Sequence, residues 1–194
     1  MARITNIVVT CNINCPIHLP TIVARYPFCE WNKKKFAALT LRFSSPKTTC
    51  LIFASGRVVC TGGNSMHAVR LALLQAGVLI RDAGYHGATV KSFAVQNIAS
   101  SFAFPEGELD LEAIFCEHPA QTSYEPELFP ALVFRPQVKG VVYLIFESGR
   151  VVITGSRSVA QVDEAYKNMV AILQRSTRAK RARLLPDSLT PRVA

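Results

Sequence analysis

The sequence predicts an α+β protein in which two copies of one unit share an antiparallel sheet, with helices covering one of its faces. Three observations carry this. The 38 residues from Phe36 match the 38 from Phe129 without gaps, at a constant offset of 93, with 17 identities. Each copy contains short runs of period-2 hydrophobicity divided by turn signals, the pattern of antiparallel strands. Each copy ends in a long run of helical periodicity opened by a serine, Ser65 or Ser158, in the position of an N-cap. Upstream the register continues at an offset of 91, with Asn6-Ile7 against Asn97-Ile98. The units are expected at 4–90 and 91–176, with a tail over 177–194.

The elements follow in the same order in both copies. An apolar, β-rich run comes first, Ile4 to Cys11 and Val90 to Phe104, and a short helix follows, about Pro20 to Tyr26 and about Leu111 to His118. Strands are then expected over Phe36 to Phe43, Thr48 to Ala54 and Arg57 to Thr61, split by Ser44-Ser45-Pro46 and Ser55-Gly56. The long helices close each unit.

Composition sets the frame. The chain has 194 residues, 49% of them apolar, and 22 Lys+Arg against 13 Asp+Glu for a formal charge of +9. It is too apolar for disorder and long enough to bury a core. No run reaches the roughly 18 apolar residues of a spanning helix, and the first residues lack the pattern of an export signal, so an intracellular soluble chain is expected. Six cysteines without an export signal read as buried free thiols. Cys11 and Cys15 are four residues apart, and no second Cys/His pair near His18, His67, His86 or His118 completes a zinc pattern, so neither metal nor cofactor is expected. From Arg175 onward six basic residues face one acid, Asp187, a composition compatible with a solvated tail, nucleic-acid binding or nuclear import.

Alternation sorts the strand residues into two faces. One is purely apolar: Ala37, Leu39 and Leu41, then Cys50, Ile52 and Ala54, then Val58 and Cys60. The other carries Phe36, Ala38, Thr40 and Arg42, then Thr49, Leu51, Phe53 and Ser55, then Arg57, Val59 and Thr61. The second copy repeats it with Phe129, Ala131, Val133 and Arg135, then Val142, Leu144, Phe146 and Ser148, then Arg150, Val152 and Thr154. Helices suffice to cover the pure face. Arginines within the mixed set argue against burying it, because unpaired charge is costly in a core, and their anionic partner is expected outside the chain.

The segments NIVVTCNI, KKFAALTLR, TTCLIFASGRVVCTGG, QNIASS, SYEPELFPALVFR and YLIFESGRVVITGS resemble the TATA-binding protein family, in register over about 170 residues and in both repeats. The resemblance implies a curved ten-stranded antiparallel sheet, a saddle, with four helices on its convex side and a concave face for the DNA minor groove. It places intercalating rings at Phe36, Phe53, Phe129 and Phe146. Base contacts fall on Asn6, Asn97, Thr61 and Thr154, over an apolar floor of Val8, Leu51, Val59, Val142, Leu144 and Val152. Phosphate-side residues are Lys34, Lys35, Arg42, Ser55, Arg57, Arg135, Ser148 and Arg150. It implies a nuclear general transcription initiation factor that kinks A·T-rich promoter DNA and nucleates pre-initiation complexes. Factor IIB would meet Glu125, Glu127 and Leu128, and factor IIA the stretch from Cys29 to Lys34, where Trp31 replaces the family's tyrosine.

The residues themselves point the same way. An A·T minor groove offers acceptors only, which suits a few amide and hydroxyl donors on an apolar floor, whereas the guanine amino group would meet Val or Leu. Several departures oppose tight binding: Ala99 for a usual valine, Glu147 beside Phe146, and Val138 and Gly140 where lysines are frequent. The first-repeat helix, whose only charges over Ser65 to Ala83 are Arg70, Arg81 and Asp82, lacks the many Lys and Arg through which the family contacts regulators, so partner sites on it do not carry over. These departures motivate a second reading, a related factor acting mainly as a protein-interaction platform with weak or relaxed TATA binding. An enzyme is not expected, since neither a nucleophile-base pair nor a phosphate-cradling glycine loop is present.

Overall fold

The computed structural model describes residues 1–137 and 140–184, with side chains through 177. Val138 and the tail's Arg178, Lys180, Arg181, Arg183 and Arg192 lie outside the described side chains. The chain runs β1 (Arg3–Asn12), α1 (Leu19–Arg25), β2 (Leu39–Ser44), β3 (Lys47–Ile52), β4 (Arg57–Gly63) and α2 (Met66–Asp82). The second copy follows as β5 (Lys91–Ala103), α3 (Leu111–Glu117), β6 (Thr122–Ser123), β7 (Ala131–Phe134), β8 (Val142–Phe146), β9 (Arg150–Ser156) and α4 (Val159–Leu184). All nine strands form one curved antiparallel sheet in the order β2-β3-β4-β1-β5-β9-β8-β7-β6.

The order is a pseudo-twofold. β1 and β5, the first strand of each copy, pair at the centre, with Val8 opposite Asn97 and Asn6 opposite Ala99, and the remaining strands fan out symmetrically. The tenth strand expected from the resemblance is reduced to a single bridge, Glu30 opposite Thr40. Its counterpart 93 residues on, Ser123 opposite Val133, belongs to the two-residue β6.

Alternation places the core as expected within the strands, but Ala37 and Ala54, assigned to the covered face, lie outside β2 and β3 and are exposed. Ile7, Val9 and Cys11 of β1, Cys50 and Ile52 of β3, Val58 and Cys60 of β4, Tyr143 and Ile145 of β8, and Val151 and Ile153 of β9 are all buried. Against them α2 lays Val69, Ala72, Leu73, Ala76 and Ile80, and α4 lays Val162, Ala165, Met169 and Leu173, spaced to share one helix face. Both helices start at the foreseen serines. Ser65 Oγ accepts from the Ala68 amide at 3.1 Å and Ser158 Oγ from the Gln161 amide at 3.1 Å. The first copy's short helix is tied to α2 through Asp82, which accepts from both Arg25 and Tyr26. In the second copy Ser176 on α4 donates to Glu117 on α3 at 2.6 Å.

Three expectations change in detail. The strand expected from Phe36 begins at Leu39, because the Lys35 and Phe36 amides both donate to the Asn32 carbonyl and close a turn. Helix α4 continues past 176 to Leu184, across the expected start of the tail. All six cysteines are free thiols, but only Cys11, Cys29, Cys50 and Cys60 are buried; Cys15 is half-buried and Cys116 exposed. Burial, with Cys60 adding to it, pushes the Cys11 thiol up to about 11. No helix among the described residues is long and apolar enough to cross a membrane.

Candidate nucleic-acid interface

Among the described residues nothing covers the sheet face opposite the helices. Val8, Leu51, Val59, Val142, Leu144 and Val152 all lie half-exposed on it, and the register aligns them into rows. Leu51 stands opposite Val59, which lies level with Thr10 of β1, and Leu144 stands opposite Val133 and Val152. Thr10 belongs to this surface, as does Ser101, which lies level with Val152; neither was foreseen.

At each end of the floor stands a pair of phenylalanines. The Phe36 and Phe53 rings meet edge to face with centroids 6.4 Å apart and planes at 65°. Phe129 and Phe146 reproduce this at 6.4 Å and 66°. Phe36 is 48% and Phe129 43% exposed, despite their size. The local chain explains the poise. Phe36 and Phe129 each follow a tight turn whose carbonyl, from Asn32 or Glu125, accepts the ring residue's own amide at 2.9 Å. Phe53 and Phe146 each precede a hairpin turn closed by a left-handed glycine, Gly56 at φ +84° and Gly149 at φ +78°. A Cβ on Gly56 would sit 2.3 Å from the Cys15 carbonyl oxygen, so no larger residue fits. Ala38 and Ala131, expected on the open face, are nonetheless buried. Ala131 lies opposite Phe146, and extending the β2/β3 register puts Ala38 opposite Phe53, so each alanine carries a ring above it.

The centre is polar and equally paired. Asn6 Oδ1 accepts from the Gly62 amide at 2.8 Å and from the Thr61 hydroxyl at 3.2 Å. Asn97 Oδ1 accepts from the Gly155 amide at 2.7 Å, while its Nδ2 lies 3.2 Å from the Thr154 hydroxyl. A backbone amide can only donate, so the orientation of both side chains is fixed with the oxygen inward. Each Nδ2, with two hydrogens to give, is thereby turned from the glycine amide at the middle of an apolar floor, and at Asn97 one of the two goes to the Thr154 hydroxyl. Gly62 and Gly155, both near φ +90°, were missed as parts of this arrangement.

The cationic fringe is less uniform than expected. Arg57 opens β4 level with Asn12, and Arg150 opens β9 opposite Ala103. Among the described residues no carboxylate pairs with Arg57, Arg135 or Arg150. Arg42 does not wait for an outside anion, as was expected: its Nε lies 3.3 Å from Glu30 Oε1, an acid brought alongside by the edge bridge. The counterpart of Glu30 at Arg135 is Ser123, so no acid among the described residues meets that guanidinium. Ser55 and Ser148 sit in the hairpin turns and are exposed.

The two ends differ in charge. The turn before Phe36 carries Lys33, Lys34 and Lys35, all exposed, whereas the same turn before Phe129 carries Pro126, Glu127 and Leu128 after Glu125. Glu147 lies exposed in the hairpin turn after Phe146, where the first copy has Ala54.

A duplicated α+β saddle with helices on one side and a bare, aromatic-tipped sheet on the other defines a class of DNA-binding transcription factors, not an enzyme. The family profile described as transcription factor TFIID, or TATA-binding protein, matches residues 1–82 and 92–176, and the chain belongs to that family. TATA-box-binding protein 2 of Arabidopsis thaliana is 41% identical over 171 residues, 87% of this chain and 84% of that protein. The TATA-box-binding protein of Xenopus tropicalis is 40% identical over 174 residues, 89% of this chain but 57% of the frog protein. The solved structure of Methanococcus jannaschii TBP superposes with a TM-score of 0.76 at 33% identity, covering 90% of this chain and 98% of that one.

Proposed function

We propose that the chain is a nuclear initiation factor that binds A·T-rich promoter DNA along the minor groove, kinks it at two places and nucleates pre-initiation complex assembly. The observation that carries this reading is the symmetric placement of two phenylalanine pairs, one ring of each exposed and the other half-buried, at the ends of an apolar floor that no described residue covers, with two side-chain amides between them. Six strand spacings of ~4.8 Å separate the pairs along the sheet. That arc of about 29 Å spans roughly eight base pairs at ~3.4 Å each. Rings entering base steps at both ends cost unstacking energy, least at flexible TA steps, so deformability adds sequence preference to the donors'. Lys34, Lys35, Arg57, Arg135 and Arg150 supply attraction to phosphates whatever the sequence.

Binding of a TATA duplex and a G·C-substituted duplex, compared across a salt series, tests the reading; equal affinity for the two rejects groove readout. Energy transfer between dyes on the duplex ends reports bending, and Phe53→Ala with Phe146→Ala should reduce it. Factor IIB is assigned to Glu125, Glu127 and Leu128, and factor IIA to the Cys29 to Lys34 edge; Glu127→Arg should lower recovery of the former.

Glu147 beside Phe146, and Arg42 engaged by Glu30, favour a second reading in which the factor works mainly as an interaction platform and holds TATA weakly. Weak, sequence-blind DNA binding together with full partner binding, restored toward tight binding by Glu147→Ala, selects that reading.

A further inference from the structure

The rim of the open face holds a cation that neither the duplication nor the alternation announces. Thr5 is an extra residue in β1: Ile4 stands opposite Ser100 and Asn6 opposite Ala99, so two steps along β1 answer one along β5. Its hydroxyl donates to the Ala99 carbonyl at 3.2 Å across the bulge. The phase of the strand is thereby reversed. Counting back by twos from Val8 and Asn6 would put Ile4 on the open face and Arg3 on the covered one. Instead Ile4, opposite the buried Ser100, packs against the core, and Arg3 comes up opposite Ser101 on the open face.

Topology decides what Arg3 meets there. β1 and β9 both run antiparallel to β5, so they start on the same side of the sheet, and β4, antiparallel to β1, ends on that side. Arg3, Arg150 and Asn64 are thereby gathered on one rim, where they line an open cleft of about 480 Å³ together with Thr5 and Ser101. All three are exposed, and among the described residues no carboxylate pairs with either guanidinium.

The other rim makes the opposite choice at both positions. The counterpart of Asn64, 93 residues on, is Arg157, which lines a second cleft with Gln96 and Asn97. The counterpart of Arg3, 91 residues on, is Ala94, which the matching bulge at Gln96 brings to the open face opposite Thr10. One rim thus combines Arg157 with Ala94, and the other Asn64 with Arg3. Each has one arginine besides Arg57 or Arg150, at positions that are not equivalent. Equal charge from unequal positions fits a demand for charge at the rim and not for a particular packing. Resting on the DNA-binding reading above, we propose that Arg3 binds a backbone phosphate of the DNA strand that passes along this rim, beside the phosphate taken by Arg150, and so supplies the cation that Asn64 lacks. A contact of this kind adds affinity and fixes the position of the duplex without reading its sequence.

The test uses the full chain with fluorescein-labelled TATA and G·C-substituted duplexes, followed by anisotropy across a sodium chloride series. Arg3→Ala should make the slope of log K against log salt shallower by about 0.9, the share of one phosphate contact. At ~0.15 M salt that slope corresponds to about a fivefold loss of affinity. The preference for TATA and the Tm should both stay at the parent's values. Adding Asn64→Arg to Arg3→Ala moves the cation across the cleft and should restore slope and affinity, a rescue that a packing role for Arg3 would not allow. An unchanged slope in Arg3→Ala, or a slope that Asn64→Arg fails to restore, overturns the proposal. Equal affinity of the parent for the two duplexes rejects groove readout while the slope still decides the role of Arg3, and a parent that binds neither duplex overturns both.

Discussion

Replacing Asn6 and Asn97 together by Asp separates groove recognition from folding. The change is nearly isosteric, and each aspartate keeps an oxygen for the Gly62 or Gly155 amide, now at 2.8 and 2.7 Å from the asparagine. The fold therefore retains its central hydrogen bonds, and charge on the acceptor strengthens them. What disappears is the Nδ2 donor at both positions, together with its bond to the Thr154 hydroxyl at Asn97, and an oxygen takes its place where groove acceptors would come. An acceptor left unpaired in a closed contact costs about 1–3 kcal/mol, hence about 2–6 kcal/mol for two. At about 1.4 kcal/mol per decade, affinity for a TATA duplex should fall roughly 30-fold to 20,000-fold. Anisotropy of a labelled duplex at pH 7.5 measures the loss, and a melting curve should give a Tm at or above the parent's. Asn97→Leu makes the contrast. It loses the donor and also strips the Gly155 amide of its acceptor, so both affinity and Tm should drop. A double Asp variant that binds within threefold of the parent refutes the role of the two amides.

Gly56→Ala, with φ +84° and a Cβ 2.3 Å from the Cys15 carbonyl oxygen, should destabilise the chain by more than about 2 kcal/mol, seen as a lowered denaturant midpoint. Glu30→Gln releases Arg42, so the slope of log K against log salt should steepen by about 0.9 for one added phosphate contact; an unchanged slope means Arg42 does not reach a phosphate. The Tyr26 hydroxyl, then Arg25, holds the Asp82 carboxyl below its ordinary range. A group lowered on folding contributes stability above its unfolded pKa and loses it as pH falls through the folded value. Asp82→Asn should therefore narrow the gap between stability at neutral and at strongly acidic pH, and urea titrations at pH 7 and pH 2.5 check this.

Much of the architecture was legible because duplication and alternation are both periodic. A constant offset of 93 carries Phe36 onto Phe129, Gly56 onto Gly149 and Ser65 onto Ser158, and every pair occupies matching local structure. Features that depend on edge geometry were not legible. The Glu30 partner of Arg42 lies twelve residues away in sequence, across a bridge so short that no strand pattern announces it. The start of β2 was misplaced because Phe36 continues the period-2 pattern while its amide belongs to a turn. The hold of Gly62 and Gly155 on the asparagines arises where the pairings of β1 with β4 and β5 with β9 each slip register near the asparagine, an irregularity that composition does not encode. Glu147 was visible from the start, but only its place in an exposed turn next to a ring pair shows where its charge acts.

The central pairing of β1 with β5 has a mechanical consequence. Because the two copies are stitched by a ladder running from Arg3 opposite Ser101 to Asn12 opposite Lys91, they meet in a seam and not at a joint. Closing or splaying the halves would tear backbone hydrogen bonds along the middle of the sheet. The chain thus behaves as a stiff mould, and whatever is pressed into it is the body that yields.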